Sequence, residues 1–480
     1  MDSAEFRRFG HQLIDWVADY RDSIAARPVM SQVQPGQIRA GFSQEPPQHG
    51  GGMEQALRAL DAQIMPGITH WNHPSFFAYF PSNTSYASIL GDIVASGLGV
   101  QGMSWQTSPA ATELEEVVMD WLRQIVGLSE AWTGVIHDTA STATFTALLC
   151  ARERASQFCQ NAAGLQGLAQ PLTVYASEEG HSSIEKAALL AGFGRANLRL
   201  IGTDADHAMR LDLLQQAIRE DLAAGKKPCA VIACVGTTGT TAVDPVRAIA
   251  AQAQTHGMWL HVDAAMAGTA MALPECRGHW DGVELADSLV FNPHKWMGVG
   301  FDCSAYFVRS PEHLIRVMST NPSYLQTQQD SAVKNFRDWH IQLGRRFRAL
   351  KLWFFLIDVG VEGLRARLRR DLANAQWFKE QVLGAADWQL MSPVHFQTVC
   401  IRHVPPELRG DEAALRQHNL RIAQRINEGG KAYLTPAVLK GEQMLRVSIG
   451  AEGTERAHVE ALWRMLQVLA ASNPQSNASR

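Results

Sequence analysis

The chain has 480 residues, of which 43 are basic and 47 acidic, and 46% of its side chains are hydrophobic. That length allows about two or three domains, and a slightly negative charge without a basic patch argues against nucleic acid or membrane as a partner. The seven cysteines are odd in number and include no C-x-x-C pair, so neither a disulfide framework nor a metal site is expected. The N-terminus lacks an apolar signal segment and no apolar run is long enough for a membrane span, which favours a cytoplasmic protein.

Residues 1–85 are predicted to form an N-terminal helical segment. Apolar side chains recur at helical spacing over residues 2–27, where Asp2 and Glu5 match a capping box, and a second helix is expected over residues 53–64. An arm rich in Pro, Gly and Gln separates the two helices. Helices this small cannot bury their apolar faces alone, so we expect them to pack on the rest of the chain or on a second subunit.

A stretch rich in aromatic side chains follows, with the sequence WNHPSFFAYFPS over residues 71–82. It has two compatible interpretations, a hydrophobic plug at a subunit junction or the wall of a pocket for an aromatic ligand. The residues alone leave both interpretations open.

From residue 134 onward, short apolar runs alternate with helical patterns. The predicted strands are residues 134–137, 172–176, 198–201, 230–235, 259–262, 285–291 and 303–308. Helices are expected over residues 144–156 and 181–191, and a long helix from residue 344 onward. This alternation predicts an α/β protein with a largely parallel sheet and helices on both faces, whose ligands bind beyond the carboxyl ends of the strands. A helix-strand-helix pattern from about residue 371 predicts a small C-terminal α+β domain, and residues 472–480 are expected to be disordered.

Polar residues follow four of these strands. Thr139 to Ser141 come after the first, His181 after the second, Thr238 after the fourth and Asp263 after the fifth. Hydroxyl residues at a strand-to-helix turn suit a phosphate, because free N–H groups and the positive end of the helix dipole face the anion. The same residues are also ordinary helix caps, so the turn alone is a weak signal. Their shared position at one edge of the sheet predicts a common binding site.

Lys295 lies between two of the buried runs, in the sequence FNPHKWMG over residues 291–298. Burial of a lysine amine at the end of a buried sheet destabilises the fold unless the amine has a function, although a lysine considered alone is more often exposed to solvent. The function we infer is a covalent bond with the aldehyde of pyridoxal 5′-phosphate (PLP), which requires a lysine amine. The preceding strand ends at Asp263, a carboxylate suited to pair with the pyridine nitrogen of that cofactor.

Three motifs, NPHKW at 292–296, HVDAA at 261–265 and HSS at 181–183, together resemble the group II PLP-dependent amino-acid decarboxylases. The resemblance is closest to the aromatic-L-amino-acid decarboxylases, the bacterial L-DOPA decarboxylases among them. It implies PLP-dependent transferase fold type I, the aspartate-aminotransferase type. A large PLP-binding domain over residues 86–370 would contain a mostly parallel seven-stranded sheet, and residues 371–480 would form the small domain. It also implies an intertwined homodimer with the active site at the subunit interface, in which the N-terminal helices embrace the partner.

The resemblance assigns roles to individual residues. Lys295 would bind the cofactor, Asp263 would pair with its pyridine nitrogen, and Tyr324, in a predicted mobile loop over residues 321–333, would protonate the substrate carbon. The other contacts to the cofactor's phosphate, ring faces and ring substituents would come from Ala140, Ser141, His181, Thr238, Ala265, Asn292 and His294. The substrate-binding residues would be Trp71, Tyr79, Phe80, Pro81, Ser82, Gln101, Met103 and His181. Gln101 and Met103 stand where animal relatives carry more apolar residues, which leaves the ring preference open.

The function expected from this resemblance is decarboxylation of aromatic L-amino acids to amines. A first alternative is an aldehyde synthase, which couples decarboxylation to oxidative deamination, but its typical departures at Tyr324 or His181 are absent. A desulfurase on the same fold needs a reactive loop cysteine, and no cysteine lies between residues 304 and 399. An aminotransferase and a non-catalytic binding protein on the same scaffold are further alternatives. Gly344 is the residue type of plant relatives with indolic substrates, although such relatives also accept DOPA.

Overall fold

The computed structural model describes residues 1–165, 169–320, 329 and 332–471. It divides into two compact units, a first unit of Met1–Pro81, Asn374–Met391 and Val399–Arg480, and a second unit of Ser82–Ala373 and Ser392–Thr398. Tyr324, most of the predicted loop 321–333 and the predicted disordered tail lie outside the described residues. The domain boundaries expected at residues 85 and 370 remain predictions.

The second unit is built around a seven-stranded sheet. Its strands are β1 (Thr133–His137), β2 (Leu172–Ser177), β3 (Leu198–Ile201), β4 (Lys227–Cys234), β5 (Trp259–Asp263), β6 (Ser288–Phe291) and β7 (Ser304–Val308). The order across the sheet is β1-β7-β6-β5-β4-β2-β3, and all strands except β7 run in the same direction. Strands that are covered on both faces need apolar side chains on both, which explains their continuous apolar runs. The predicted mostly parallel sheet is therefore confirmed.

Helices connect the strands of this sheet, and further helices belong to the first unit. The α-helices of the described residues are α1 (Ser3–Ser23), α2 (Gln37–Ala40), α3 (Gly52–Ala59), α4 (Tyr86–Leu98), α5 (Pro109–Val126), α6 (Ala140–Ala155), α7 (Cys159–Ala163), α8 (Ser183–Leu190), α9 (Leu211–Ala223), α10 (Val246–His256), α11 (Pro311–Met318), α12 (Arg348–Leu383), α13 (Glu412–Glu428) and α14 (Arg456–Ala471). In α12, Gly360 has a φ of +65°, which glycine adopts readily, and it divides the helix into two parts. Among the described residues, no helix has the length and apolar character needed to cross a membrane.

The helix starts depend on their capping residues. The predicted capping box of α1 is confirmed, because Asp2 Oδ1 accepts from Glu5 N–H at 2.9 Å and Glu5 Oε2 accepts from Asp2 N–H at 3.0 Å. The predicted start of α6 at residue 144 is wrong by four residues, because Thr139 caps the helix at Ala140. Similarly, α8 begins at Ser183 rather than at residue 181, and α12 begins at residue 348 rather than at residue 344.

The first unit contains a smaller sheet with strands β8 (Trp388–Leu390), β9 (Thr398–His403), β10 (Thr435–Leu439) and β11 (Glu442–Ser448). The order is β10-β11-β9-β8, with antiparallel pairing of β10 with β11 and of β8 with β9. The aromatic stretch 71–80 is fixed to this sheet, because Phe77 N–H donates to Tyr433 O and Ser448 N–H donates to Phe77 O, each at 2.9 Å. The predicted small α+β part of the chain is thus present.

Candidate active site

The predicted site residues of the second unit gather at one edge of the large sheet. Because the strands other than β7 are parallel, their carboxyl ends lie along the same edge. Thr139 follows β1, His181 follows β2, Thr238 follows β4, Asp263 ends β5, and Lys295 follows β6. This edge is the candidate active site.

Asp263 and Lys295 lie close enough to His181 for their charges to act on its imidazole. Partial desolvation is the largest cause of the lowered pKa of His181; the Asp263 carboxylate opposes it and the Lys295 cation adds to it. Asp263 is 7% exposed, and its Oδ1 accepts from Ala265 N–H at 3.0 Å. Ser183 orients the imidazole, because its N–H donates to His181 Nδ1 at 3.1 Å. Nδ1 is therefore an acceptor, and the proton of the neutral ring lies on Nε2.

Asn292 and His294 flank the lysine and are both buried. Asn292 Oδ1 accepts from Ser304 Oγ at 2.7 Å, and His294 Nδ1 accepts from Cys303 N–H at 3.0 Å. Desolvation, followed by the charge of Lys295, lowers the pKa of His294 to about 3. Both side chains are thus fixed by the start of β7, and their predicted contacts with the cofactor stay predictions.

The N-terminus of α6 combines free N–H groups with exposed hydroxyls. Ala140 is buried at the first position of this 16-residue helix, and Ser141 at the second is exposed. Thr139 is already engaged as the cap, accepting from Thr142 N–H at 3.4 Å. Thr238, after β4, is also exposed. Hydroxyls and a helix N-terminus at the same sheet edge form an anion-binding arrangement.

Gln101 and Gly344 are neighbours in the second unit. A Cβ atom added at Gly344 would lie 3.3 Å from Gln101 Oε1, and the same oxygen accepts from Arg345 N–H at 3.3 Å. Arg345 is buried, where it pairs with Glu115 at 2.6 Å and donates to Ile136 O at 2.9 Å. This buried ion pair fixes the segment after residue 343 against α5 and β1.

The other predicted substrate residues are divided between the units. In the first unit, Trp71 and Tyr79 are partly exposed and stack with ring centroids 5.6 Å apart, whereas Phe80 is buried below the Arg446 guanidinium. Pro81 ends this segment of the first unit. In the second unit, Met103 O accepts from Arg337 N–H at 2.9 Å, and Ser82 Oγ donates to His294 O at 3.2 Å.

Known proteins are similar to this chain over almost its whole length. The family described as Pyridoxal-dependent decarboxylase conserved domain matches residues 35–404. The chain belongs to this family. "Phenylacetaldehyde synthase" of Arabidopsis thaliana is 40% identical over 477 residues, covering 97% of this chain and 96% of the relative. "Aromatic-L-amino-acid decarboxylase" of Rattus norvegicus is 39% identical over 485 residues, covering 98% of each. The crystal structure of "Oryza sativa TDC with PLP and tryptamine" has a TM-score of 0.94 at 36% identity and covers 98% of each chain.

This decarboxylase uses PLP, and the residues at the sheet edge fit that cofactor. At this edge, the Lys295 amine suits the aldehyde of PLP, the Asp263 carboxylate suits its pyridine nitrogen, and the N-terminus of α6 suits its phosphate. When bound, PLP takes up the electron pair that remains on carbon as carbon dioxide leaves an amino acid. The predicted cofactor and reaction type are confirmed.

A buried polar network near Asp263 in sequence was not predicted from the sequence. His261 lies two residues earlier in β5; its Nδ1 is 2.9 Å from Ser288 Oγ in β6, and its Nε2 is 3.4 Å from Thr144 Oγ1 in α6. Ser288 Oγ also accepts from Trp259 Nε1–H at 2.8 Å. The HVDAA motif predicted a role for Asp263 but none for His261. The partners of His261 lie 27 residues after it, at Ser288, and 117 residues before it, at Thr144, so they are evident only in the three-dimensional structure.

Buried neutral histidines predict that stability falls as pH is lowered. Desolvation lowers the pKa of six histidines from 6.5 to about 4 or below, namely His73, His137, His261, His294, His340 and His403. In the unfolded chain these imidazoles bind protons below pH 6.5, whereas in the folded chain they remain neutral. The unfolded state therefore binds more protons, and a lower pH favours unfolding. Asp244 and Asp371 have the opposite effect on stability, because burial raises their pKa values from 3.8 to about 6 and the folded chain therefore binds protons that the unfolded chain does not. The histidines outnumber these carboxyls, so we expect the free energy of unfolding to fall by up to about 5 kcal/mol per pH unit below pH 6.

Urea unfolding of the apoenzyme between pH 7.5 and 5 measures this dependence. Substitution of the exposed His11 by alanine is the control and should leave the slope unchanged. A free energy of unfolding that stays constant or rises toward pH 5 would contradict the assignment of neutral buried imidazoles.

Proposed function

We propose that this PLP-dependent decarboxylase acts on aromatic L-amino acids and releases carbon dioxide and the corresponding amines. The observation that carries the proposal is the shared position of His181, Asp263 and Lys295 after strands β2, β5 and β6 at one edge of the sheet, where the charges of Asp263 and Lys295 both act on His181. The similarity to relatives named for aromatic amino acids supports the substrate class. The candidate substrates are L-DOPA, 5-hydroxytryptophan, tryptophan, tyrosine and phenylalanine.

The chemistry of each side chain supports its proposed role. The Lys295 amine would hold the cofactor covalently, and the ionised Asp263 would keep the pyridine nitrogen protonated. His181 and Ala265 would contact the ring faces. The phosphate, which carries a charge of about −1.5 to −2, would be bound at the N-terminus of α6 with the help of Ser141 and Thr238.

Aromatic and amide groups would recognise the substrate ring. In the first unit, the partly exposed, stacked rings of Trp71 and Tyr79 offer an apolar surface to an aromatic side chain. In the second unit, the Gln101 amide beside Gly344 offers hydrogen bonds to a ring hydroxyl or an indole N–H. We therefore expect ring substituents to alter the affinity for the substrate.

We further propose a cytoplasmic homodimer with the active site at the subunit interface. One face of α4 presents Tyr86, Leu90 and Ile93, each 47% or 48% exposed, at the i, i+4 and i+7 spacing of one helix face. A contiguous apolar stripe of this kind is costly in water, and a second copy of the chain would cover it. All seven cysteines are free, which supports a reducing compartment.

A comparison of substrates tests the proposed class. With the PLP-loaded protein, we expect kcat/KM for the best aromatic L-amino acid to exceed that for L-glutamate by at least about 10²-fold, because an apolar pocket gives no partner to a second carboxylate. Carbon dioxide release from both substrates is the measurement. Equal or higher kcat/KM for L-glutamate would contradict the proposal of an aromatic pocket.

The alternative proposal is an aromatic aldehyde synthase. Its support is the 40% identity with the phenylacetaldehyde synthase of Arabidopsis thaliana. The two activities share the release of carbon dioxide and differ in what the remaining carbon receives, a proton in one case and oxidation by O₂ in the other. The presence of His181 and Tyr324 favours protonation.

A further inference from the structure

The backbone around Lys295 has an unusual conformation. The lysine lies in a five-residue π-helical turn, Pro293–Met297, and its own φ of −104° and ψ of −108° are not helical. The turn ends at Gly298, whose φ of +98° is a conformation that residues with a Cβ rarely adopt. Such a backbone is maintained only where surrounding groups determine it.

Donors from outside the turn engage the carbonyl oxygens of five consecutive residues, His294 to Gly298. Three of these donors belong to the segment that precedes α4. Ser82 Oγ donates to His294 O and Asn83 Nδ2 donates to Lys295 O, each at 3.2 Å, and Ser85 N–H donates to Gly298 O at 3.0 Å. Asn83 is fully buried, so its amide is desolvated and has a defined orientation.

The remaining two carbonyls are bound by the second part of α12. Arg367 Nη2 donates to both Trp296 O and Met297 O, each at 2.6 Å. One helical turn later, the fully buried Asp371 accepts from Trp296 Nε1–H at 2.9 Å. The side chain that follows the lysine is therefore bonded to the same helix as the turn's carbonyls.

We propose that Asn83, Arg367 and Asp371 are positioning residues that set the place from which the Lys295 amine reaches PLP. We call these three residues the lysine clamp. The proposal rests on the proposed role of Lys295 as the residue that binds the cofactor. The lysine side chain is long and flexible, so its Nζ can be reproducibly placed only if its backbone is fixed. The clamp fixes that backbone from both sides, through a short loop and through α12.

The clamp predicts a specific defect in cofactor capture. A displacement of about 1 Å in a reacting group lowers its rate by about 10²-fold. We therefore expect Arg367→Ala to form the visible absorbance band of the lysine-bound cofactor about 10²-fold more slowly than wild type when apoenzyme is mixed with PLP. Arg367→Lys should recover part of the rate, because an ammonium can still donate to the carbonyls. Asn83→Ala should also slow the band.

The matched control is Arg369→Ala on the same helix. Arg369 forms an exposed ion pair with Glu275 at 2.7 Å, away from the lysine turn, so its loss should leave band formation unchanged. Circular dichroism and thermal unfolding of each apoprotein report whether the variant folds. If Arg367→Ala does not fold, the decision passes to Trp296→Phe, which keeps an aromatic ring at this buried position, with a smaller volume, and removes the hydrogen bond to Asp371.

The outcomes separate this inference from the proposed function. Wild-type rates of band formation in folded Arg367→Ala and Asn83→Ala, or in Trp296→Phe where it decides, would overturn the clamp. If the clamp variants form the band at the wild-type rate and Lys295→Ala forms no band, the clamp is overturned and the proposed role of Lys295 is kept. A band that persists in Lys295→Ala would overturn that role itself, and the clamp with it.

Discussion

Replacement of Lys295 by alanine is expected to abolish the visible absorbance of the bound cofactor and to lower turnover by about 10⁴-fold or more, the scale seen when a covalent catalytic group is removed. The lysine follows β6 at the carboxyl edge of the sheet, where its charge acts on His181. No other described lysine has that position. Alanine retains neither the amine nor its charge, so phosphate and ring contacts alone would hold PLP.

Absorbance spectra and single-turnover assays of the variant measure both effects. The exposed Lys186 in α8 provides the control, because Lys186→Ala should keep the band and the turnover of wild type. A Lys295→Ala protein with normal turnover would refute the central role given to this residue.

Replacement of Tyr324 by phenylalanine is expected to change the product from amine toward aldehyde. After carbon dioxide leaves, the carbon must gain a proton to give the amine, and the Tyr324 hydroxyl is the proposed donor. Without that proton, O₂ accepts the electron pair and is reduced to hydrogen peroxide. Water then releases the nitrogen, so that one amino acid, one O₂ and one water give one aldehyde, one carbon dioxide, one ammonia and one hydrogen peroxide. We expect a fall in amine formation of about 10²-fold or more, the contribution typical of a general acid.

Quantifying amine, aldehyde and peroxide from the same reaction measures this partition. Tyr20→Phe is the control; it also removes one hydroxyl, which lies 2.8 Å from His70 Nδ1 in the first unit, and should leave the partition unchanged. An unchanged amine yield in Tyr324→Phe would mean that another group donates the proton.

The sequence predicted the site residues that follow strands, because strand ends and their order are local patterns. The seven apolar runs located the strands of the large sheet, and the parallel arrangement then brought His181, Asp263 and Lys295 to one edge. The start of α6 was placed too late, since the sequence pattern there did not distinguish a capping threonine from a loop threonine.

Groups that act over long sequence distances were not predictable in this way. Arg367 lies about 70 residues after the carbonyls that it binds, and Arg345 lies 230 residues after Glu115. In the sequence, both arginines belong to cationic runs that are typical of a solvated helix face. The burial of Arg345 and the partners of both arginines follow only from the packing of α12 and of the segment before it in the three-dimensional structure.

The most direct test of the account is the stoichiometry of the wild-type reaction. PLP-loaded protein is incubated with L-DOPA in air, and carbon dioxide, amine, aldehyde and peroxide are measured together. We expect amine and carbon dioxide in equal amounts, without aldehyde or peroxide. Aldehyde and peroxide in amounts equal to carbon dioxide would contradict it, and would show that His181 and Tyr324 do not direct the carbon toward protonation.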